Sequence, residues 1–449
     1  MALSKTKNIG KKNTVCVLGL GYVGLTLAIT LRECGVPVYG VDVNHEVVSG
    51  VNTSRPHFYE KGLDALLRKH RKDGFECFEE IPQDQNIGTY IIAVGTSVHH
   101  KKPHFKELKS ASYAVGAVLK KGDLIILRST VPVGSTRDFV IKILQEKSDL
   151  FAGVDFSVVF APERTVEGDA LRELHSLPQI IGGFDTHSVK MAAELFNLFS
   201  PKIVTVDSLE EAEMIKLLNN SYRDFTFAFS NEFALACDMF NLDAAKIIGT
   251  ANHEYPRDKI PLPSPGVGGY CLTKDPHILH FSVKQKGYTM KLPRHARAVN
   301  EKMPGYVYQQ IIKFFNTHYP KNLEKHISVL GFAFKGNPPT SDTRFSPTVD
   351  VVNLLRNMPK VRIYGHDFVV PHDIILGHRV EPIKKVSDIF RDKHAVIIMN
   401  NHPQYKKLEI AHELMKKPAF IFDTWSLLPK ESIINKRGVH YSNLGHDTI

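Results

Sequence analysis

The sequence predicts an α/β protein in which two parallel sheets, each covered by helices on both faces, flank a helical middle segment. Three observations carry this expectation. Short, continuously apolar runs alternate with amphipathic segments in the N-terminal third, and the same alternation resumes in the C-terminal third. Between them lies a long stretch, nearly free of proline and glycine, with apolar residues at helical spacing. Continuous apolar runs mark strands buried on both faces, the situation that helices packed over a parallel sheet create.

In chain order, Val15 to Leu18 reads as a strand, Val23 to Glu33 as a helix and Val38 to Val41 as a second strand. Tyr90 to Val94, Leu124 to Leu127 and Ser157 to Phe160 follow as strands, each ended by turn residues. Leu209 to Phe240 is too long for a simple crossover and reads as a connecting helix. After the Pro/Gly-rich stretch Pro261 to Gly269 and a further helical region, Ile327 to Leu330 opens the second alternating block. Val361 to Tyr364, Ala395 to Met399 and Phe420 to Phe422 continue it. The boundaries drawn from this pattern are 1–208, 209–315 and 316–449.

The 449 residues, 43% apolar and 23% charged, have the make-up of a folded chain long enough for about three domains, which excludes a disordered tail protein. Against 47 Asp+Glu stand 57 Lys+Arg, a net charge of +10 that suits anionic ligands. The basic residues are dispersed and there is one tryptophan, so neither a stripe nor a stacking platform for nucleic acid is formed. Lys5, Lys7, Lys11 and Lys12 make a basic lead-in that reads as a solvated tail. Five scattered cysteines (Cys16, Cys34, Cys77, Cys237, Cys271) without a CxxC pair suggest neither a disulfide framework nor a structural zinc site. None of the 22 histidines forms an HExxH pattern, and His99-His100 falls in a polar, Lys-flanked loop, so no metal is expected. The longest uncharged stretch, Val15 to Leu31, is shorter than the ~20 residues of a spanning helix and is interrupted by glycines. With no signal-peptide pattern either, a cytoplasmic protein without membrane insertion is expected.

The run Val15-Cys-Val-Leu-Gly19-Leu-Gly21-Tyr22-Val23-Gly24 sets GxGxxG between a strand and a helix. Gly19 permits the tight turn, Gly21 lets a pyrophosphate approach the backbone, and Gly24 lets helix and strand pack closely. Asp42, at the end of the second strand, is placed to accept from both ribose hydroxyls of an adenosine and would repel a 2′-phosphate, which favours NAD over NADP.

The run Pro265-Gly-Val-Gly268-Gly-Tyr270-Cys271-Leu-Thr-Lys274-Asp275-Pro276 places a cysteine after a glycine-rich loop with a lysine and an aspartate three and four positions on. Such a cysteine can act as a nucleophile whose thiolate is favoured by nearby cations and helix-end donors; a buried core cysteine is the plainer alternative.

Over nearly its full length the chain resembles the UDP-glucose/UDP-N-acetylhexosamine 6-dehydrogenase family. Six motifs occur in the family's order: the Gly19 fingerprint, Ser129-Thr-Val-Pro-Val-Gly-Ser-Thr136, Pro162-Glu-Arg-Thr-Val-Glu-Gly168, Lys216 with Asn220, the Cys271 loop, and Gly331-Phe-Ala-Phe-Lys335 followed by Asp342-Thr-Arg344. The resemblance implies two Rossmann-like domains joined by a long central helix that also forms a homodimer contact. It implies oxidation of a UDP-sugar C6 alcohol to the carboxylate with two NAD. In that chemistry Asp275, through a water ordered by Lys216 and Asn220, takes the alcohol proton, and Lys216 stabilises charge on the oxygen. Cys271 captures the aldehyde, a thioester follows, and Glu163 serves as general base for its hydrolysis. The resemblance further places Tyr22, Val23, Thr96 and Thr130 at the cofactor and Lys274 near its phosphates. Arg164, Arg223, Gly268, Lys335 and Arg344 fall to the sugar nucleotide.

For the sugar, two signals oppose each other. Arg223 after the Lys216/Asn220 pair, Pro162-Glu-Arg164 and the Pro265-Gly-Val-Gly-Gly run resemble the branch acting on UDP-N-acetylmannosamine or UDP-N-acetylglucosamine. Lys274 before Asp275, and Tyr270 where that branch commonly has histidine, resemble the UDP-glucose branch. The N-acetylhexosamine is favoured because an arginine near the sugar can donate to an acetamide carbonyl. Ser97, Ser264 and Thr424-Trp425 depart from the family pattern at loops, not at the catalytic set. A single-step NAD dehydrogenase and a non-catalytic nucleotide-sugar sensor are the competing readings; neither needs Cys271, Lys216 and Asp275 together.

Overall fold

The computed structural model describes residues 14–83 and 86–446, so the basic lead-in containing Lys5, Lys7, Lys11 and Lys12 lies outside the described residues. The chain forms two compact units, Met1–Asn219 with His277–Thr289 and Asn220–Pro276 with Met290–Ile449. The helical middle segment is therefore divided between the units.

The strands of the first unit are β1 (Thr14–Leu18), β2 (Val38–Val41), β3 (Glu76–Phe78), β4 (Ile87–Ile92), a short hairpin of β5 (Ser97–His99) and β6 (Lys102–His104), then β7 (Leu124–Leu127), β8 (Ser157–Phe160), β9 (Gln179–Gly183) and β10 (Ile203–Val206). Eight of them form one sheet in the order β10-β9-β8-β7-β4-β1-β2-β3. The order reverses between β1 and β4, the switch point at which open α/β sheets leave a crevice for ligands. β7 and β8 are buried along their whole length and β1 and β4 at all but one residue each, as strands covered on both faces require.

The sheet departs from the parallel expectation at one edge, where β9 pairs antiparallel with β8. A parallel return needs a crossover that covers the sheet. The segment between these strands holds only the five-residue helix Ala170–Leu174, so the chain turns straight back. β10 then pairs parallel with β9 after the helix Thr186–Phe196. The strand expected at Tyr90–Val94 runs earlier, over Ile87–Ile92. His99 ends β5, while His100 lies with Lys101 in the two-residue β5–β6 turn, where both adopt positive φ, 49° and 63°.

The second unit carries β11 (Lys325–Leu330), β12 (Val361–His366), β13 (Glu381–Pro382), β14 (Ala395–Ile398), β15 (Ala419–Asp423) and β16 (Val439–Asn443). All pair parallel in the order β13-β12-β11-β14-β15-β16, with the same reversal between first and fourth strands. The helix Leu292–His318 covers this sheet with Phe314, whose ring stacks on Phe420 at 4.8 Å. The connecting helix spans Leu209–Met239. Among the described residues no helix is long and apolar enough to cross a membrane, and no group of three or more potential metal-ligating side chains occurs.

Gly24 shows how tightly the first β-turn-α unit packs: a Cβ there would lie 1.7 Å from the Gly19 carbonyl oxygen. Gly24→Ala is expected to force the helix Tyr22–Glu33 off β1 and to cost about 3 kcal/mol or more. A thermal melt with NAD titration checks this, and an unchanged midpoint with intact binding would refute it.

Candidate active site

In the first unit the loops that bear the sequence motifs follow the carboxyl ends of β1, β2, β4, β7 and β8. Gly19 turns at φ +90°, and a Cβ there would lie 2.9 Å from the Ala93 carbonyl carbon. A Cβ at Gly21 meets nothing within 4 Å, so the backbone stands open beside the helix Tyr22–Glu33, which no side chain caps. The first-turn N–H groups of such a helix are donors for an anion. Tyr22 packs its ring on Phe58 at 3.9 Å, and Val23 is half-buried behind it. Asp42 accepts from the backbone N–H of Leu20 at 2.8 Å and of Asn44 at 3.0 Å. Two of its four lone-pair sites are thereby used and two remain for ribose hydroxyls. Thr96 is 2% exposed and its hydroxyl has no hydrogen-bond partner among the described residues. A buried orphan hydroxyl, an open glycine turn and a half-engaged carboxylate together fit a dinucleotide.

Thr130 lies in the loop after β7, half-buried. Three elements hold that loop. Ser129 Oγ donates to the Val94 carbonyl at 2.7 Å, the Val133 N–H donates to Ser282 Oγ at 3.1 Å, and Glu213 of the connecting helix takes the rest. Its carboxylate accepts from the N–H of Gly134 at 2.5 Å, the N–H of Thr136 at 2.8 Å and Thr136 Oγ1 at 2.6 Å. Burial pushes Glu213 up to about 7 in spite of these donors.

Glu163, after β8, is buried against Arg128, which donates from Nε and Nη2 at 3.2 and 2.6 Å. The backbone N–H groups of Arg164 and Thr165 donate to its other oxygen at 2.7 and 2.8 Å, while the Arg164 side chain is exposed. Burial alone would raise the Glu163 pKa, but Arg128, the Thr165 N–H and Lys216 outweigh it and hold the group below the ordinary carboxylate value. Lys216 is itself 8% exposed, and no carboxylate among the described residues lies within ion-pair distance of its ammonium. A buried cation left in that condition is suited to an oxygen of a bound molecule.

In the second unit Cys271 is exposed as the second residue of the helix Tyr270–Lys284. The glycines before it are sterically required. A Cβ at Gly268 would sit 2.4 Å from the Phe345 carbonyl oxygen, and Gly269 turns at φ +83° against the Phe334 ring. Asp275 is fully buried; Lys274 Nζ donates to one oxygen at 2.6 Å and Asn220 Nδ2 to the other at 2.5 Å. Lys274, expected at the cofactor's phosphates, thus commits its ammonium to Asp275. Burial opposes its charge, but the carboxylate and the Cys271 sulfur outweigh burial and raise its pKa above the usual lysine value. Lys274 and Arg344 each lie 5.1 Å from the centroid of the Tyr270 ring, and Arg344 is held by Asp342 at 2.6 Å. Lys335 lies over Phe334, and Arg223 is exposed on the connecting helix.

Pro276 removes the helical donor for the Leu272 carbonyl. Arg297 reaches that carbonyl at 3.5 Å and binds the buried Asp224 at 2.7 Å. Asn300 joins Asp224 to Asn231, which accepts from the Ser264 N–H at 2.7 Å and so fixes the start of the cysteine loop. Ser264, a departure in the sequence pattern, also bonds the Gly266 carbonyl.

With this geometry in place, comparison with known proteins is decisive. Three profiles of one family match in order: the NAD binding domain of the UDP-glucose/GDP-mannose dehydrogenase family over residues 13–200, its central domain over 210–302 and its UDP binding domain over 328–430. The chain belongs to this family. A UDP-N-acetyl-D-mannosamine dehydrogenase of Pyrococcus horikoshii is 33% identical over 396 residues, 88% of this chain and 90% of the relative. The solved structure of a UDP-D-ManNAc dehydrogenase from that organism superposes with a TM-score of 0.86 at 31% identity, covering 97% of this chain and all of that one. A UDP-glucose dehydrogenase from Pyrobaculum islandicum superposes with a TM-score of 0.83 at 26% identity, over 99% and 100% of the two chains. The match supports oxidoreductase activity on a nucleotide sugar with an NAD-binding domain.

Sequence reasoning passed over Arg128, Glu213 and Arg297. Arg128 directly precedes the Ser129 motif and Glu213 lies one turn before Lys216 on the same helix, signals that gain meaning only once their buried partners are known. The cysteines also separate by environment. Burial pushes the Cys16 and Cys77 thiols up to about 12, whereas Cys271 is exposed at a helix N-terminus beside Lys274. Iodoacetamide at neutral pH is therefore expected to label Cys271 at least about tenfold faster than Cys16, Cys77 or Cys237; peptide mass mapping over time reads the order, and earlier labelling of a buried cysteine would contradict it.

Proposed function

We propose that the protein is an NAD-dependent nucleotide-sugar 6-dehydrogenase that converts the C6 alcohol of a UDP-sugar to the carboxylate, with UDP-N-acetyl-D-mannosamine or UDP-N-acetyl-D-glucosamine as its substrate. The observation that carries this reading is an exposed cysteine at a helix start, followed on that helix by a buried Asp275 whose two oxygens are held by Lys274 and Asn220. A single oxidation of an alcohol has no use for such a nucleophile; a double oxidation needs one to retain the aldehyde.

Each residue then has a task. Asp275, with lone pairs left on both oxygens, receives the C6 hydroxyl proton, and the Lys216 ammonium stabilises the charge that develops on that oxygen. NAD, held by Gly19, Gly21, Gly24, Asp42 and Thr96, serves when bound as hydride acceptor in both oxidations. Between them the aldehyde carbon bonds to the Cys271 sulfur and its oxygen takes back the proton held by Asp275, giving a thiohemiacetal; the second oxidation returns that hydroxyl proton to Asp275 and leaves a thioester. Water adds to the thioester carbon, the carbon–sulfur bond breaks with sulfur leaving as thiolate, and Glu163 accepts the water proton at a lone pair that one of its backbone N–H donors gives up to the water. A carboxylate held below the ordinary range is a weak base, so proton transfer accompanies the formation of the new carbon–oxygen bond.

The acetamido sugar is supported by Arg223, whose exposed guanidinium can donate to an acetamide carbonyl, and by the mannosamine relatives. UDP-glucose is the second reading, favoured by Lys274 before Asp275. We assign a cytoplasmic homodimer, for which the exposed Leu218, Tyr222 and Phe229 on the connecting helix provide apolar surface.

NADH released per molecule of limiting substrate, measured with the two UDP-N-acetylhexosamines and UDP-glucose in parallel, tests the reaction. Two equivalents from an acetamido sugar are expected, and Cys271→Ala should remove the second; one equivalent or none from all three refutes the proposal. Arg223→Leu should weaken turnover of the acetamido substrate about tenfold more than that of UDP-glucose, and equal losses would remove Arg223 from sugar selection.

A further inference from the structure

Arg128 follows β7 directly and is 2% exposed. Besides the two bonds to Glu163, its Nη1 donates to the Ala161 carbonyl and to Gln179 Oε1, each at 3.0 Å, and the guanidinium lies 5.5 Å from the centroid of the Phe196 ring. Glu163 accepts two donors on each oxygen, Arg128 on one and the Arg164 and Thr165 backbone on the other. A single buried fork therefore ties the end of β7 to the loop after β8 and to the first residue of β9. Lysine, a point charge on a flexible stem, cannot reproduce that fork.

We propose that Arg128 is a positioning residue for thioester hydrolysis, holding the Glu163 carboxylate in place as an anion. The inference rests on the reaction assigned above. The charged groups facing Glu163 are Arg128 from the end of β7 and Lys216 from the connecting helix; Gln179 of β9 is neutral, and Arg164 and Glu173 line the same small cavity. Removal of Arg128 leaves burial opposed only by Lys216 and the backbone donors, so the carboxyl gains affinity for protons and loses its orientation. The oxidation steps, which use Cys271, Asp275 and Lys216, do not draw on Arg128.

The test compares wild type with Arg128→Met and Arg128→Lys by rapid mixing, intact-mass analysis and thermal melts across pH. In Arg128→Met the initial burst of two NADH per active site should persist while steady turnover falls about a hundredfold, with a thioester-sized adduct accumulating on Cys271 and the acid limb of turnover moving to higher pH. Arg128→Lys should recover part of the turnover. Loss of burst and turnover in equal measure, or an acid limb that stays in place, overturns the proposal.

The melts decide independently of turnover. A carboxyl with a depressed pKa in the folded state stabilises the fold above its unfolded value, and that contribution is lost as pH falls through the folded value. The gap between wild type and Arg128→Met should thus be widest at neutral pH and narrow through the carboxylate range. A gap that is constant with pH overturns the proposal even if no sugar is turned over. Absence of NADH from wild type with every nucleotide sugar, alongside a narrowing gap, would refute the reaction and leave the Arg128–Glu163 coupling standing.

Discussion

Parallel strand direction is the constraint on which the rest of this molecule depends. When neighbouring strands run the same way, all their carboxyl ends fall on one edge, and the loops that leave them are brought side by side however far apart they lie in the chain. In the first unit that edge collects Gly19, Asp42, Thr96, Thr130 and Glu163 from the ends of five strands. In the second it collects the Gly331–Lys335 segment, Asp367, Asn400 and Thr424. The one antiparallel pairing within the eight-stranded sheet, β8 with β9, occurs where the chain uses the connection for the Glu163 loop instead of a covering helix.

Loops at such an edge have no ladder to hold them, and here buried carboxylates do so. Glu213 holds the loop after β7, Glu60 accepts from the Gly168 N–H at 2.7 Å, and Asp224 anchors Arg297 and Asn300 behind the cysteine loop. Buried ionic groups add little net stability because desolvation opposes their attraction, and removing one partner is costly. Their effect is geometric: a fully engaged carboxylate accepts only one arrangement of its donors. Glu163 with Arg128 and Asp275 with Lys274 and Asn220 extend the same device to residues that the proposed reaction uses.

The two sheets share a topology but not a binding capacity. Gly19 and Gly331 both turn at about φ +90° after the first strand, and Asp42 and Asp367 both follow the second. Asp42 accepts two backbone N–H groups and keeps lone pairs for a ligand. Asp367 accepts from Phe332, Ala333, Val369 and Val370 and has none left. Ala333 also stands where the first unit has the open Gly21. The second carboxylate therefore braces its turn, and of the two it is Asp42 that keeps lone pairs for a ligand.

Periodicity and local motif were enough to place β1, the helix after it, β2, β7, β8 and the connecting helix to within a residue or two, because a strand buried on both faces and a glycine turn each leave their mark in a handful of consecutive residues. The short strands β3 and β13, the polar β16 and the half-exposed β10 leave no such mark, since their pairing comes from neighbours and not from their own composition. The candidate residues were legible as motifs, yet their states were not. That Lys274 serves Asp275, that Asp275 is bound by Asn220 fifty-five positions earlier, and that Arg128 takes Glu163 across thirty-five are contacts of the folded chain. By itself the sequence determined which residue types stand at the ends of the strands; only the tertiary structure decided which charges meet and which are left for a ligand, because burial and hydrogen bonding between distant segments set those partners.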